Sequence, residues 1–134
     1  MENLDKPKLL FYQKTGELFY AIAAADKVVR KEEYNALKTV ILEEWKNLDD
    51  YKDPFHTDAA HQMEVVFEWF DYEQLDANEC FDSFADYKKE NPELFTDERK
   101  QLIWKTANAI ASSFAKKNKS EVILLTKLKI LLKE

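Results

Sequence analysis

Large apolar residues recur every three or four positions along most of this 134-residue chain, which is the spacing of amphipathic helices. In the second predicted helix these positions form one face: Tyr34, Leu37, Val40 or Ile41, Trp45 and Leu48. The later faces are Met63, Val66, Phe67 and Phe70; Phe81, Phe84 and Tyr87; Ile103, Ala107, Ile110 and Phe114; and Leu124, Leu125, Leu128 and Leu131. The pattern predicts six helices.

The ends of the helices follow from capping and helix-breaking residues. Helix 1 follows a cap at Asp5, has Pro7 in its first turn and runs to about Ala25, and helix 2 runs from about Lys31 to Leu48. Helix 3 follows a cap at Thr57 or Asp58, helix 4 a cap at Asp76, helix 5 a cap at Thr96, and helix 6 begins near Asn118. The connections between these helices are only a few residues long, which predicts one compact, all-α, bundle-like domain over residues 1–134.

Two residue types give expectations about packing. We expect Gly16, inside helix 1, to mark close packing, and Trp45, Trp69 and Trp104 to belong to the core.

Composition supports this fold class. The chain has one glycine and three prolines, too few for a turn-rich β sandwich or barrel. Its one cysteine, Cys80, cannot form an internal disulfide. No apolar run reaches the roughly 18–20 residues of a membrane helix, and the acidic N-terminus lacks a signal pattern. We therefore expect a cytoplasmic protein that does not insert into membranes.

The net charge of −6 is unevenly distributed. Residues 53–87 carry ten Asp and Glu and no Lys or Arg. A stretch this acidic repels phosphate backbones and favours cations or basic partners, unless it serves only as a solvated surface. The one basic cluster, Lys116, Lys117 and Lys119, is too small for a nucleic-acid interface. We expect a protein partner that binds the acidic surface, and no nucleic acid.

The two ends of the chain are similar to each other at an offset of 88 residues. Ala21-Ile22-Ala23 aligns with Ala109-Ile110-Ala111, and Lys31, Glu33 and Leu37 align with Lys119, Glu121 and Leu125. Both copies read as a small-residue helix, a short turn and an acid-led amphipathic helix. This similarity predicts two helical hairpins packed about a pseudo-twofold axis, with chance identity as the alternative.

One segment resembles a known family. Ala24-Ala25-Asp26, then Val29 and Glu33, follow the signature of TerB-like domains, which include the tellurite-resistance TerB proteins and the N-terminal domain of a DnaJ-type co-chaperone. The resemblance implies an all-helical domain of this length with two symmetric hairpins. Three positions depart from the family pattern: Lys27 replaces its glycine, Arg30 its capping residue, and Phe114 the Asp of the second copy.

The resemblance also implies that Asp26 and Glu33 bind a divalent cation, calcium or zinc. Calcium takes about 6–8 oxygen ligands, more than two carboxylates supply, and Lys27 would repel a cation. The alternative is structural: Glu33, at the third position of helix 2, accepts backbone N–H groups while Asp26 closes the turn.

A second candidate metal site lies in the acidic segment. His61, Glu64 and Glu68 share one helical face, as in half of a di-metal bundle site, although no second Glu-x-x-His provides the other half. The alternative is a surface histidine paired with acids. Other catalytic patterns are missing from the sequence: the lone Gly16 forms no phosphate loop, and acidic neighbours should raise the pKa of the Cys80 thiol.

These observations favour a non-enzymatic, TerB-like module that mediates protein interactions or senses divalent cations, in a stress response of the tellurite type. Two alternatives stay open. One is a metal-dependent helical-bundle protein centred on His61, and the other is a metal-free acidic adaptor for a basic partner.

Overall fold

The computed structural model describes residues 6–45, 61–113 and 118–133, and the regular secondary structure of these ranges is entirely helical. The helices are α1 Lys6–Ala23, α2 Lys31–Glu43, α3 His61–Glu73, α4 Ala77–Glu90, α5 Asp97–Ser112 and α6 Lys119–Lys133. A short 3₁₀ turn, Pro92–Leu94, connects α4 to α5. The all-α, six-helix prediction is confirmed.

Two predicted caps act as expected. The Asp76 carboxylate accepts the Glu79 N–H at the start of α4, and the Thr96 hydroxyl accepts the Arg99 N–H at the start of α5. The α4 helix ends at Asn91-Pro92, as predicted, because proline cannot continue a helix. The predictions at Asp5, Leu48, Thr57, Asp58 and Phe114 lie outside the described residues.

Two helices are shorter than their apolar patterns. The α1 helix ends at Ala23 rather than Ala25, because the chain turns through Ala24–Asp26. The α2 helix ends at Glu43, yet Trp45 just beyond it is fully buried and donates its indole N–H to the Thr106 hydroxyl at 2.9 Å. Apolar spacing thus located the buried residues better than the end of the helix.

The core forms around α1, which packs against α3, α4 and α5, while α2 packs on α5. Its largest fully buried side chains are Trp45, Tyr12, Phe11, Phe19, Phe67 and Phe84. Phe95, in the connection after α4, contacts both Phe11 and Phe84 edge to face. This aromatic core therefore holds α1, α3, α4 and Trp45, just beyond α2, together.

Gly16 marks the closest approach of two helices, as expected. A Cβ at this position would lie 2.8 Å from the Met63 Cα and carbonyl oxygen. The obstacle is backbone rather than a flexible side chain, so only glycine lets α1 and α3 pack at this distance.

The prediction that all three tryptophans belong to the core is wrong for Trp69. Its side chain is 59% exposed, whereas Trp45 is fully buried and Trp104 is half-buried. At about 100° per residue, Trp69 lies roughly 120° from the buried Met63 around α3. An apolar residue beside a helical stripe therefore faces solvent here.

None of the described helices is both long enough and apolar enough to span a bilayer.

Candidate functional site

The residues of the TerB-like motif form the turn between α1 and α2. The Lys27 N–H donates to the Ala24 carbonyl at 2.8 Å, and Lys27 itself has φ +70°. This left-handed conformation suits glycine and costs about 1–2 kcal/mol for other residues. The turn therefore holds a lysine in a backbone conformation that glycine adopts more easily.

The Asp26 carboxylate organises the turn through three donors. One oxygen accepts the Val28 backbone N–H at 3.0 Å. The other accepts the Arg30 guanidinium at 3.0 Å and the Asn118 side-chain amide at 2.8 Å. Asn118 is 92 positions away, at the start of α6, so Asp26 connects the two hairpins of the predicted repeat.

Glu33 and Glu121 occupy equivalent positions at the starts of α2 and α6. The Arg30 N–H donates to the Glu33 carboxyl at 2.7 Å, and the Asn118 N–H donates to the Glu121 carboxyl at 3.1 Å. These bonds satisfy backbone groups that a helix leaves without partners in its first turn. The contacts expected from the structural alternative are therefore present: Glu33 accepts a backbone N–H at the start of α2, and Asp26 accepts the Val28 N–H in the turn.

The two glutamates also form a buried pair. Glu33 is 1% exposed and Glu121 is 2% exposed. Burial, opposed by the Arg30 N–H and reinforced by a hydrogen bond that the protonated Glu33 carboxyl donates to Glu121, raises the pKa of Glu33 to about 8. Two adjacent buried carboxyls are more stable with one of them protonated than with both ionised. This pair was not predicted from the sequence, although the 88-residue offset aligns Glu33 with Glu121 and was the signal for it.

The offset also aligns the helix starts, since α2 begins at Lys31 and α6 at Lys119. The structure therefore brings the first candidate metal residues into one cluster, here called the inter-hairpin cluster: Asp26, Arg30, Glu33, Asn118 and Glu121. Asp26 and Glu33 are connected through Arg30, which contacts the first with its guanidinium and the second with its backbone N–H.

The residues of the second candidate metal site, His61, Glu64 and Glu68, make two separate contacts. His61 Nδ1 lies 2.8 Å from the Glu64 carboxylate, as in the surface-pair alternative. Glu68 instead accepts a hydrogen bond from the Tyr34 hydroxyl, which, after burial, raises the pKa of that phenol. Within the described ranges, no cluster of three or more His, Cys, Asp or Glu residues has an arrangement that could hold a metal ion.

Cys80 has the environment that its neighbours predicted. The thiol is buried, and burial followed by the negative charges of Glu17, Asp76 and Glu79 raises its pKa to about 12. A thiol that stays protonated is a poor nucleophile.

The most exposed apolar surface of the described chain lies on α3. Trp69 is 59% exposed, Tyr72 is 81% exposed, and Val65 lies one turn before Trp69 on the same side of the helix. Glu68 and Glu73 are exposed beside them, and α3 contains four acids and no Lys or Arg. We call Val65, Glu68, Trp69, Tyr72 and Glu73 the acidic aromatic face.

A groove of about 460 Å³ borders this face where α3 meets the start of α2. Its lining includes Tyr34 and Phe67, whose rings stack with centroids 5.5 Å apart, together with Glu68 and Tyr72. The groove thus continues the mixture of aromatic and acidic groups found on α3.

No protein-family model matches this chain, and no curated protein or solved structure matches it significantly. Membership of the TerB-like family therefore stays a prediction that depends on the motif at Asp26, Val29 and Glu33.

Proposed function

We propose that this chain is a non-enzymatic, cytoplasmic interaction module whose binding surface is the acidic aromatic face of α3. One observation carries the proposal: a helix that contains only acidic charges exposes Val65, Trp69 and Tyr72 together. Exposed aromatic residues are over-represented at the centres of protein interfaces, and adjacent acids select the charge of the partner. The partner is therefore a protein segment that presents both apolar and basic side chains.

The experiment is a fluorescence titration with two synthetic amphipathic helices, one of Leu and Lys and one of Leu and Glu. Trp69 is the most exposed tryptophan, so its emission should shift to shorter wavelength when the Lys peptide covers it. We expect the Leu–Lys peptide to bind more tightly, and more weakly as salt shortens the screening length from about 10 Å at 0.1 M to 3 Å at 1 M.

Two variants of the chain test whether the peptide binds the α3 face rather than another part of the surface. Trp69→Ser should weaken binding of the Leu–Lys peptide, measured by calorimetry, roughly tenfold or more. Ile123→Ser, which removes an exposed apolar group from α6, should leave it unchanged. Equal affinity for both peptides, or equal losses in both variants, would contradict the proposal.

A second candidate function is divalent-cation sensing at the inter-hairpin cluster. The observation that favours it is that Asp26 already binds one cationic group, the Arg30 guanidinium. The same carboxylate oxygen accepts the Asn118 side-chain amide, whose own oxygen accepts the Glu121 backbone N–H. A metal ion would need to replace the guanidinium, because the two compete for the same oxygen.

Thermal melts with millimolar Ca²⁺, Mg²⁺, Mn²⁺ or Zn²⁺ test this candidate. An ion at 100 times its Kd stabilises a protein by about 2.7 kcal/mol. We expect the largest rise in Tm for Arg30→Ala, which frees the Asp26 oxygen, and no rise once Asp26→Asn is added. A rise that only His61→Ala abolishes would assign the ion to the site at His61, Glu64 and Glu68. If the Tm does not change with any ion in any variant, both metal sites are rejected.

The tellurite-type stress response stays a prediction of the TerB resemblance.

A further inference from the structure

A second exposed surface, between α5 and α6, has the opposite character to α3. It is a groove of about 220 Å³ lined by Lys100, Gln101, Trp104, Lys129, Leu132 and Lys133. Pockets for drug-sized ligands usually enclose about 300–1,000 Å³. This groove is smaller, and its size suits a single inserted side chain better than a metabolite.

The chemistry of the groove suits an aromatic side chain from an acidic surface. Its apolar lining comes from Trp104, Leu132 and the methylene stems of the lysines. Lys129 and Lys133 are exposed, so their ammonium groups add positive charge at the rim. An ammonium group near an indole ring is attracted by the negative face of the ring.

These properties are complementary to those of the acidic aromatic face. That face presents Trp69 between Glu68 and Glu73, on a helix without Lys or Arg. The α6 helix carries four lysines, and its one acid, Glu121, is buried. The chain therefore contains both an exposed aromatic anchor with an acidic border and an apolar groove with a basic border.

We propose that the partner of the acidic aromatic face is a second copy of this chain, with Trp69 of one copy entering the α5–α6 groove of the other. Glu68 and Glu73 then lie against Lys129 and Lys133 of that other copy. The inference rests on the proposed function of the α3 face and names its partner. The contact joins two unlike surfaces of the same chain, so each copy has one of each to offer.

The size of the surfaces sets the strength of the association. The α3 helix has 13 residues and is about 20 Å long, at 1.5 Å per residue. One helix face buries less than the roughly 1,200–2,000 Å² of a standard stable complex. The association is therefore weak, dependent on concentration and sensitive to salt.

Sedimentation velocity of the full chain, from micromolar to millimolar concentration at low salt, tests the proposal. We expect a reversible increase in mean mass that Trp69→Ser reduces, raising the apparent Kd roughly tenfold or more. Ile123→Ser is the matched control, since Ile123 is 48% exposed on α6 and does not line the groove. A monomer at all concentrations, or association that survives Trp69→Ser, would overturn the inference.

A charge-swap mixture tests which surfaces meet. Glu68→Lys with Glu73→Lys inverts the acidic aromatic face, and Lys129→Glu with Lys133→Glu inverts the groove. Each double variant alone should be monomeric, because both contacting surfaces then carry the same sign. Mixed one to one, the inverted face of one variant can bind the inverted groove of the other, and the native face and native groove can still bind in the opposite sense. The two variants should therefore associate with each other in equal proportion. Failure of the mixture to associate, with both variants folded by circular dichroism, would overturn the inference.

The Leu–Lys peptide separates this inference from the function on which it rests. If the chain stays monomeric but the peptide still binds in a manner that depends on Trp69, the α3 face binds a different basic partner, and only the self-association is wrong. If neither associates with the α3 face, both are wrong.

Discussion

The starts of α2 and α6 are aligned by the 88-residue similarity, and they are capped in different ways. At α6, Asn118 and Glu121 form a reciprocal capping box: the Asn118 side chain accepts the Glu121 N–H at 2.8 Å while its own N–H donates to Glu121. At α2, Arg30 occupies the cap position and its side chain has no acceptor, so the side-chain bond to the Glu33 N–H is missing and that N–H donates to the Arg30 carbonyl at 3.0 Å. The reciprocal bond from the Arg30 N–H to the Glu33 carboxyl still forms.

The difference shows that a side chain that does not cap its own helix can instead join two helix starts. The Arg30 side chain donates instead to Asp26, on the same oxygen that accepts the Asn118 amide. The weaker helix start therefore depends on the stronger one, through a carboxylate that both contact. The buried side chains of Glu33 and Glu121 add a second connection behind it, in which burial raises the pKa of Glu33.

The largest expected effect is the pH dependence caused by Glu33. Its pKa is about 8 in the folded chain and near 4.5 when unfolded, so the folded state holds the extra proton between these values. This contribution to stability is complete below about pH 4.5 and is lost as the pH rises through about 8. The free energy of unfolding should fall by up to about 1.4 kcal/mol per pH unit within the window.

Urea denaturation of the wild type and Glu33→Gln at several pH values checks this. The glutamine keeps an acceptor for the Arg30 N–H but does not titrate, so the variant should be less sensitive to pH. The difference between the two chains isolates Glu33 from all other titrating groups. Parallel curves between pH 5 and pH 9 would show that Glu33 titrates alike in both states.

The cap of α6 should be worth more than the cap of α2. Asn118→Ala removes the acceptor for the Glu121 N–H and the donor to Asp26, and we expect a loss of about 2 kcal/mol. Asn118→Ser keeps a capping oxygen and loses only the donor, so its loss should be about half as large. Equal losses in urea denaturation would assign the effect to Asp26 rather than to the cap.

Arg30 should matter less, because its contact with Asp26 is partly exposed. We expect Arg30→Ala to cost below about 1 kcal/mol. Arg30→Asn also removes the guanidinium but installs the capping residue of α6, so it should be about 1 kcal/mol more stable than Arg30→Ala. If the two variants have the same Tm, the α2 start cannot use a side-chain cap.

The smallest expected effect is at Lys27, where the backbone is left-handed. Lys27→Gly should stabilise the chain by roughly 0.5–1 kcal/mol, because relief of the strain exceeds the added flexibility of the unfolded chain. Lys27→Ala removes the same charge but keeps the strain, and it should bring no gain. A gain of equal size in both would indicate the charge beside Asp26 as the cause.

Sequence reasoning succeeded where the physics is local. Apolar spacing located the helices, and the caps at Asp76 and Thr96 and the start of α6 near Asn118 could be predicted because a capping side chain bonds within three residues of itself. The role of Glu33 at the start of α2 follows from the same rule.

The failures involve contacts between distant segments. The bond from Asn118 to Asp26 spans 92 positions, and the pair of Glu33 and Glu121 requires two helix starts to meet in space. Local sequence patterns do not indicate which distant segments meet in space, and only the 88-residue similarity related these two helix starts. The exposure of Trp69 was missed for a related reason, since one helix's pattern cannot show what covers its other sides.

The close contact at Gly16 has a consequence for recognition. Because the α1 backbone at Gly16 packs directly on the α3 backbone at Met63, α3 cannot slide or roll against the core without a clash. Trp69 and Tyr72 are therefore presented by a preorganised scaffold, and a partner gives up little entropy in fixing the backbone beneath them. Gly16→Ala would push α3 outward and loosen this surface, so it should weaken binding of the Leu–Lys peptide without altering any residue that the peptide contacts.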